Sequence, residues 1–242
     1  MTQNEFDVFG LFLKDQLESK DPIYHVIERD DGYLDVSGTD FYFKSAEFWP
    51  TQEREVLEYA MSPIIDIGCG AGRHSLYLQN KGFDVIAFDI SEGALFVVRK
   101  RGITKTIKGS VLNLPTFEKP FSTFLLFFNM FGIGGSPTGS MKMLKALHQH
   151  STPDAKIILS YCSPIPTKNP SHLAYHKRNH DAGLPIGQVT IRMRYLHHKS
   201  EWFSLYLPTP EEFRTVTQKA GWKISVDLID TPFHYVVLEK GI

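Results

Sequence analysis

The feature of this chain that most constrains its fold is a glycine-rich turn between an apolar run and a helix-forming stretch. Residues 64–73 read IIDIGCGAGR, with glycine at alternate positions Gly68, Gly70 and Gly72. Glycine lets the backbone turn sharply and approach a ligand, and the N-terminus of the following helix offers free N–H groups and a positive dipole end. The turn therefore predicts a site, at the end of a buried strand, for the carboxylate or phosphate end of a ligand.

Two common nucleotide-binding loops do not fit this turn. A GxGxxG dinucleotide fingerprint would need glycine where Arg73 stands, and the sequence contains no GxxxxGK[ST] loop. The next strand-like run ends at Asp89, 21 residues after Gly68, where an acid would reach the hydroxyls of a bound ribose. The pattern favours a nucleoside site over the alternative, a helix-capping turn beside an exposed aspartate.

Around the turn, short runs rich in Val, Ile and Phe alternate with helix-like stretches, which is typical of a parallel sheet with crossover helices. The predicted strands are 63–67, 83–88, 104–108, 122–128 and 155–162, and the predicted helices are 72–81, 92–101 and 139–150. A capping box at Thr209 to Glu212 starts a further helix to about Ala220. Two strands follow, and their tight link makes the last one antiparallel.

Length and composition predict one elaborated domain over residues 1–242, with 42% hydrophobic residues to fill its core. An N-terminal segment, 1–62, and a cap insert, 163–208, are the expected additions to the central fold. In the insert, 188–195 alternates as a half-buried strand would, and 202–207 is its expected hairpin partner.

Charge and cysteine content exclude several classes of function. The net charge of -1 provides no field to attract nucleic acid, so that partner is not expected. Cys69 and Cys162 form neither a disulfide framework nor a zinc pattern, which favours a reducing compartment, the cytoplasm. No apolar run is long enough to cross a membrane, and the N-terminus lacks the apolar core of a signal peptide.

The stretch DIGCGAGRHSLYLQNKGFDVIAFDIS resembles the nucleotide-binding half of the class I S-adenosylmethionine-dependent methyltransferases. The family's D/E-x-G-x-G-x-G motif is met by Asp66, Gly68, Gly70 and Gly72, and its ribose-binding acid by Asp89. The GCGAGRH form and a later RY…WF pattern are similar to small-molecule members. The resemblance implies an α/β, doubly wound, Rossmann-like sheet of seven strands, mostly parallel with an antiparallel last strand. It also implies S-adenosyl-L-methionine as cofactor and S-adenosyl-L-homocysteine as product.

The cofactor contacts expected from the turn and the resemblance include one departure from the family. Where the family often has an aspartate for the adenine amino group, this chain has Ser110, whose hydroxyl accepts more weakly, followed by the Val111 N–H. The full predicted cofactor set is Tyr42, Trp49, Asp66, Gly68, Cys69, Gly70, Gly72, Arg73, Asp89, Ile90, Ser110, Val111 and Asn129. Tyr42 and Trp49 are chosen from an aromatic-rich segment because aromatic faces attract a sulfonium. Cys69 is interpreted as an inert small residue.

The acceptor side of the site is less defined by the sequence. Asn129 is expected at the carboxyl edge of the sheet, either lining the cleft or capping a turn. The cap insert supplies His172, His176, Tyr175 and Tyr195 as candidate bases for a hydroxyl acceptor, and none is singled out. No metal site is expected, although His172, His176 and His180 share helical spacing.

Alternatives to methyl transfer to a small molecule remain open. Arg192 and Arg194 suggest an acidic acceptor or form a solvated strand face. The chain could bind S-adenosylmethionine or S-adenosylhomocysteine without chemistry, or transfer an aminopropyl group from a decarboxylated cofactor. The acceptor atom, the base and the oligomeric state are left open.

Overall fold

The computed structural model describes residues 7–241 and contains seven α-helices and twelve strands over that range. The helices are α1 (Val8–Glu18), α2 (Thr51–Leu57), α3 (Arg73–Asn80), α4 (Glu92–Lys100), α5 (Pro137–Gln149), α6 (Pro170–Asp181) and α7 (Pro210–Lys219). The strands are β1 (Tyr24–Arg29), β2 (Leu34–Gly38), β3 (Ile64–Ile67), β4 (Val85–Asp89), β5 (Thr106–Lys108), β6 (Phe121–Leu126), β7 (Ser151–Cys162), β8 (Gln188–Tyr195), β9 (His198–Lys199), β10 (Phe203–Tyr206), β11 (Trp222–Asp230) and β12 (Phe233–Lys240). The first six residues of the predicted N-terminal segment and Ile242 lie outside the described residues.

Seven strands form one sheet in the order β11-β12-β7-β6-β3-β4-β5. β4 pairs with β5 and β6 with β7 in parallel, whereas β12 runs antiparallel to both β7 and β11. Every residue of β3 and β6 is buried, as expected for strands covered on both faces. The predicted α/β fold with a reversed last strand is confirmed.

A second sheet has the order β10-β8-β1-β2, with β9 paired to β8. The predicted strand 188–195 and its pairing with the segment after Trp202 are confirmed. The sequence did not predict that β1 lies antiparallel to β8, with Val26 opposite Arg194. The helix α1 and the strands β1 and β2, all within the N-terminal segment, were not predicted either.

Two strand ends differ from the prediction for identifiable reasons. β6 stops at Leu126 instead of 128 because Phe128 and Asn129 both have positive φ, which an extended strand does not allow. β7 starts at Ser151, earlier than 155, because Ser151 already pairs with Phe121 ahead of an irregularity in the register. The predicted capping box at Thr209 is present and begins α7.

The chain divides into two compact units. The first unit comprises 7–49, 65–110 and 190–203, and the second comprises 50–64, 111–189 and 204–241. Among residues 7–241, no helix is long and apolar enough to cross a membrane.

Candidate functional site

The glycine-rich turn in the first unit uses the backbone conformations that only glycine adopts without strain. Gly68, Gly70 and Gly72 have φ of +67°, +55° and +76°. Gly72 also lets the turn approach α4, since a Cβ there would lie 3.1 Å from Val98 Cγ2. The predicted reason for glycine at these positions is therefore visible in the backbone.

The amide groups of the three glycines of the turn are used inside the protein. Gly68 N–H donates to the Phe88 carbonyl over 2.8 Å, and Gly72 N–H donates to the Cys69 carbonyl over 2.8 Å. Gly70 N–H donates to Asp89 Oδ2 over 3.0 Å. Because these donors already have partners, the ligand contacts of the turn must come from neighbouring side chains or other backbone groups.

Asp89 ends β4 as a buried carboxylate held by two backbone amides. Oδ2 accepts from Gly70 N–H, and Oδ1 accepts from Ser91 N–H over 2.9 Å. Burial raises the pKa of Asp89 to about 6, although both amide hydrogen bonds act to lower it. Oδ2 also accepts a weak hydrogen bond from the Cys69 thiol over 3.9 Å, so the group can receive two neighbouring hydroxyls when one of them replaces that thiol.

Two other side chains of the turn, Asp66 and Cys69, are buried and interact inside the protein. Asp66 is buried and accepts the Ser75 hydroxyl at 2.5 Å, so it ties β3 to α3, and burial raises its pKa. Burial also raises the pKa of the Cys69 thiol well above its ordinary value, with a further contribution from Asp89. A neutral thiol is a poor nucleophile, as expected for an inert residue.

An aromatic cluster lies against Gly70. Phe9 Cζ and Tyr42 Cδ1 would each lie 3.6 Å from a Cβ at Gly70, and the Phe9 and Tyr42 rings meet edge to face with centroids 5.5 Å apart. Burial raises the pKa of Tyr42 to about 12, so its hydroxyl is neutral at physiological pH. The structure thus places the predicted Tyr42 beside the turn and adds Phe9, whose apolar helical spacing in α1 was the missed signal.

Trp49 and Arg73 occupy a different place from Tyr42. Trp49 packs against α3, with ring centroids 5.0 Å from His74 and 5.3 Å from Tyr77. The buried Arg73 guanidinium lies over Trp49 and donates to the Phe41 carbonyl over 2.9 Å. Their contacts are with α3 and the segment before it, so the structure does not group them with Asp89 and Tyr42.

Asp7, which the sequence did not single out, connects α1 to the start of α4. Its Oδ1 caps α1 by accepting Gly10 N–H over 2.8 Å. Its Oδ2 accepts Gly93 N–H over 2.9 Å and the Ser91 hydroxyl over 2.8 Å. Ser91 is the residue whose amide holds Asp89, so the N-terminal helix is fixed next to the candidate ribose acceptor.

We expect Asp7→Ala to lower the free energy of unfolding by about 1 to 3 kcal/mol, because it removes a helix cap and leaves a further amide donor unmatched. Urea unfolding followed by circular dichroism measures the change. The matched control is Asp21→Ala, which removes an exposed acid from the same segment and should change stability by less than about 0.5 kcal/mol. Equal losses in the two variants would contradict the bridging role.

The remaining predicted cofactor residues differ in solvent exposure and in the unit to which they belong. Ile90 is half exposed, Val111 is buried in the second unit, and Ser110 ends the 65–110 segment of the first unit with an intermediate exposure. Gly109 N–H donates to the Asp89 carbonyl over 3.0 Å. The assignment of Ser110 and Val111 to an adenine ring stays a prediction.

Tyr195 and the two arginines of β8 have partners within the first unit. The Tyr195 hydroxyl donates to Asp15 over 2.8 Å, and burial raises its pKa to about 12, which makes it unsuited to act as a base near pH 7. Arg192 and Arg194 both reach Glu28, with nitrogen to oxygen distances of 2.8 Å and 3.4 Å. Their shared face is confirmed, and the single Glu28 carboxylate pairs with both arginines.

In the second unit, Asn129 lies at a strained bend after β6. Phe128 and Asn129 have φ of +53° and +65°, a costly conformation for two consecutive residues with side chains. Asn129 Oδ1 accepts Cys162 N–H over 2.8 Å, and the Ser160 hydroxyl accepts Phe128 N–H over 3.0 Å. These bonds fix the amide so that its NH₂ group points away from Cys162.

The candidate bases of α6 are also in the second unit. His172 Nδ1 lies 3.1 Å from the Thr167 hydroxyl, and Tyr175 is buried beneath the Arg178 guanidinium, 4.0 Å from its ring centroid. Within the described range 7–241, no group of three His, Cys, Asp or Glu side chains could hold a metal ion.

Comparison with known proteins agrees with this architecture. Residues 64–154 match the family model described as a methyltransferase domain. A solved structure of an S-adenosylmethionine-dependent methyltransferase from Bacteroides fragilis, in complex with S-adenosyl-L-homocysteine, superposes with a TM-score of 0.81 at 20% identity, over 98% of this chain and 95% of that one. The fold is that of S-adenosylmethionine-dependent methyltransferases.

Two further proteins are similar to this chain, one in structure and one in sequence. The CcbJ methyltransferase from Streptomyces caelestis has a TM-score of 0.61 at 13% identity, over 81% of this chain and 94% of that one. A curated relative, the cypemycin N-terminal methyltransferase of a Streptomyces species, is 25% identical over 104 residues. That alignment covers 42% of this chain, and the chain spans 42% of the length of this relative.

Proposed function

We propose that this chain is an S-adenosylmethionine-dependent methyltransferase that acts on a small molecule. The observation that carries the proposal is the buried Asp89 carboxylate at the end of β4, attached by an amide hydrogen bond to the glycine-rich turn. A methyltransferase domain match over 64–154 and the fold itself support it. The predicted residues Asp89, Gly70 and Tyr42 are the ones that the first unit brings together.

The residues of the first unit fit an S-adenosyl nucleoside. Asp89 would accept the two ribose hydroxyls, because each of its oxygens accepts one amide and the thiol bond to Oδ2 is weak enough to be replaced. The positive-φ glycines keep side-chain atoms out of the turn. Phe9 and Tyr42 would face a bound cation next to Gly70, where an aromatic ring attracts positive charge by about 0.5 to 2 kcal/mol.

When bound, the cofactor would supply an electrophilic methyl group on a sulfonium. The role of this chain's own side chains is to align the acceptor and keep water out, and such alignment can lower the barrier by about 7 to 11 kcal/mol. Asn129 stays a proposed contact for an acceptor, since its NH₂ group is oriented by the bond to Cys162. Tyr195 is not proposed as the base because its pKa is raised to about 12.

The decisive experiment separates cofactor binding from turnover. We expect calorimetry on the full chain to show saturable binding of S-adenosylmethionine and S-adenosylhomocysteine, and an acceptor panel to show release of S-adenosylhomocysteine. The panel contains phenols, thiols, amino sugars and a short peptide with a free α-amine, the last because a curated relative is named an N-terminal methyltransferase. Absence of binding would overturn the proposal, whereas binding without turnover on any acceptor would favour a non-catalytic binding protein.

The raised pKa of Asp89 predicts an unusual pH dependence of cofactor binding. The ionised carboxylate accepts both hydroxyls, so protonation below about pH 6 should weaken binding, by about tenfold between pH 7 and pH 5. The folded chain binds this proton more tightly than the unfolded chain, so Asp89 itself adds stability as the pH falls from 6 towards 4. Calorimetry and thermal unfolding at the same pH values therefore distinguish protonation of Asp89 from acid unfolding, and a flat affinity profile would contradict its role.

A further inference from the structure

A cavity lies in the first unit, on the side of α3 that faces the segment before the glycine-rich turn. Its volume is about 430 Å³, within the range of about 300 to 1,000 Å³ typical of small-molecule sites. The walls come from the segment 43–49, from α3 and from Arg101, which follows α4. Of the predicted cofactor residues, Trp49 and Arg73 line this cavity, whereas Asp89, Gly70 and Tyr42 do not.

The charge of the cavity wall is entirely positive. Lys44, Arg73 and Arg101 line it, and none of the lining residues is acidic. Lys44 lies 3.5 Å from Asp40, in a pair of half-exposed side chains. The cavity therefore favours an anion over a neutral or cationic ligand.

Of the three cations in the wall, Arg101 can bind an anion without losing a carboxylate partner. Its guanidinium donates to the carbonyls of Ala71 and Phe43, and no carboxylate pairs with it among residues 7–241. Desolvation alone lowers its pKa. The buried Arg29, in contrast, binds Asp31 through two nitrogens. Two bonds to carbonyls leave three of the five N–H donors of Arg101 for a ligand.

The apolar part of the wall suits a planar ring. Phe43, Trp49 and Tyr77 line the cavity together with Leu76, and the Arg101 guanidinium lies 4.9 Å from the Phe43 ring centroid. Trp49 is fixed by its indole N–H, which donates to the Lys44 carbonyl over 2.8 Å. Small-molecule sites combine such aromatic walls with a few polar groups that fix orientation.

We propose that this cavity binds an aromatic carboxylate, with the carboxylate on Arg101 and the ring among Phe43, Trp49 and Tyr77. The site goes beyond the proposed function, because it takes a different ligand from the S-adenosyl nucleoside. Arg101 also bonds the carbonyl of Ala71 in the glycine-rich turn, so a ligand here contacts the support of the cofactor site. Both ligands can be bound at once.

The test uses 4-hydroxybenzoate as the probe and its neutral isostere 4-hydroxybenzamide as the comparison. We expect calorimetry and ligand-observed NMR on the full chain to show 4-hydroxybenzoate binding about tenfold or more tightly than the amide, since a charge-assisted pair is lost with the amide. Arg101→Gln should remove this preference. Arg99→Gln, which changes an exposed arginine of α4 paired with Glu92, should retain it.

A second variant, Asn80→Phe, tests the site independently in case Arg101→Gln does not fold. Asn80 is exposed at the cavity rim, so Asn80→Phe should fill the entrance, abolish 4-hydroxybenzoate binding and leave S-adenosylhomocysteine binding unchanged. Equal binding of acid and amide, no binding of either, or full binding to Asn80→Phe would overturn the proposal. Displacement of the probe by S-adenosylhomocysteine would also overturn it, because the cavity would then belong to the cofactor site. Failure of S-adenosylhomocysteine to bind, with the probe results intact, would count only against the proposed function.

Discussion

Asp89→Asn should weaken the binding of S-adenosylhomocysteine by about 2 to 3 kcal/mol, roughly 30- to 150-fold. The substitution replaces a carboxylate, which accepts from Gly70 N–H and Ser91 N–H and has capacity for two hydroxyls, by a group with one acceptor oxygen. Its NH₂ group would also face one of the two amide donors. Calorimetry at pH 7 measures the loss.

The shape of the pH profile makes this prediction specific. Asparagine does not titrate, so the affinity of Asp89→Asn should be constant between pH 5 and pH 7, where the affinity of the unmodified chain is expected to change. Asp84→Asn is the matched control, since Asp84 is an exposed acid next to the same strand and pairs with Lys105 over 2.6 Å. Its variant should bind within about twofold of the unmodified chain. Equal weakening in both variants would remove Asp89 from the site.

Local sequence signals were sufficient to predict the central sheet and the position of Asp89. Buried strands such as β3 and β6 appear as apolar runs, and the glycines after β3 are required by positive φ. Because parallel strands end at one edge of a sheet, the spacing from Gly68 to Asp89 was enough to bring the acid to the turn. The hydrogen bond between Gly70 and Asp89 is consistent with that reasoning.

The second sheet could not be predicted from local patterns. β1 pairs with β8, which is more than 160 residues away in the sequence, and neither strand carries a signal that names its partner. The apolar spacing of α1 was present, with Val8, Phe12 and Leu13 buried, but its packing partner was not apparent. Two of the missed groups, Asp7 and Phe9, belong to α1 or cap it.

Hydrogen bonding and ion pairing explain what the sequence did not show about the site. The sequence shows which amides a glycine turn could expose, but the partners of Gly68 and Gly72 are backbone carbonyls that no residue type reveals. Arg192 and Arg194 look like an anion site until Glu28, distant in the chain, is placed beside them. Internal charge pairs of this kind depend on tertiary structure and not on spacing.

Gly93→Ala should lower the free energy of unfolding by about 3 kcal/mol, whereas the same replacement in an ordinary exposed helix raises it. A glycine inside an exposed helix normally gains about 0.5 to 1 kcal/mol on replacement by alanine. At Gly93, the added methyl group would overlap the Cα atom and carbonyl group of Gly10, which are backbone atoms that cannot rotate away. The helices α1 and α4 would separate, which would loosen the apolar cluster that includes Phe12, Leu13 and Val97.

Whether the free energy of unfolding falls or rises in Gly93→Ala shows whether the close approach of α1 to α4 stabilises the first unit. Urea unfolding gives the free energy, and Lys100→Ala at an exposed position of α4 is the control, with an expected change of less than about 0.5 kcal/mol. Separation of the helices should also displace Asp7 from Gly93 and Ser91, so S-adenosylhomocysteine should bind more weakly to Gly93→Ala. A stabilised Gly93→Ala chain would show that α1 does not pack on α4 in solution, because only the intrinsic helix preference of alanine would then remain.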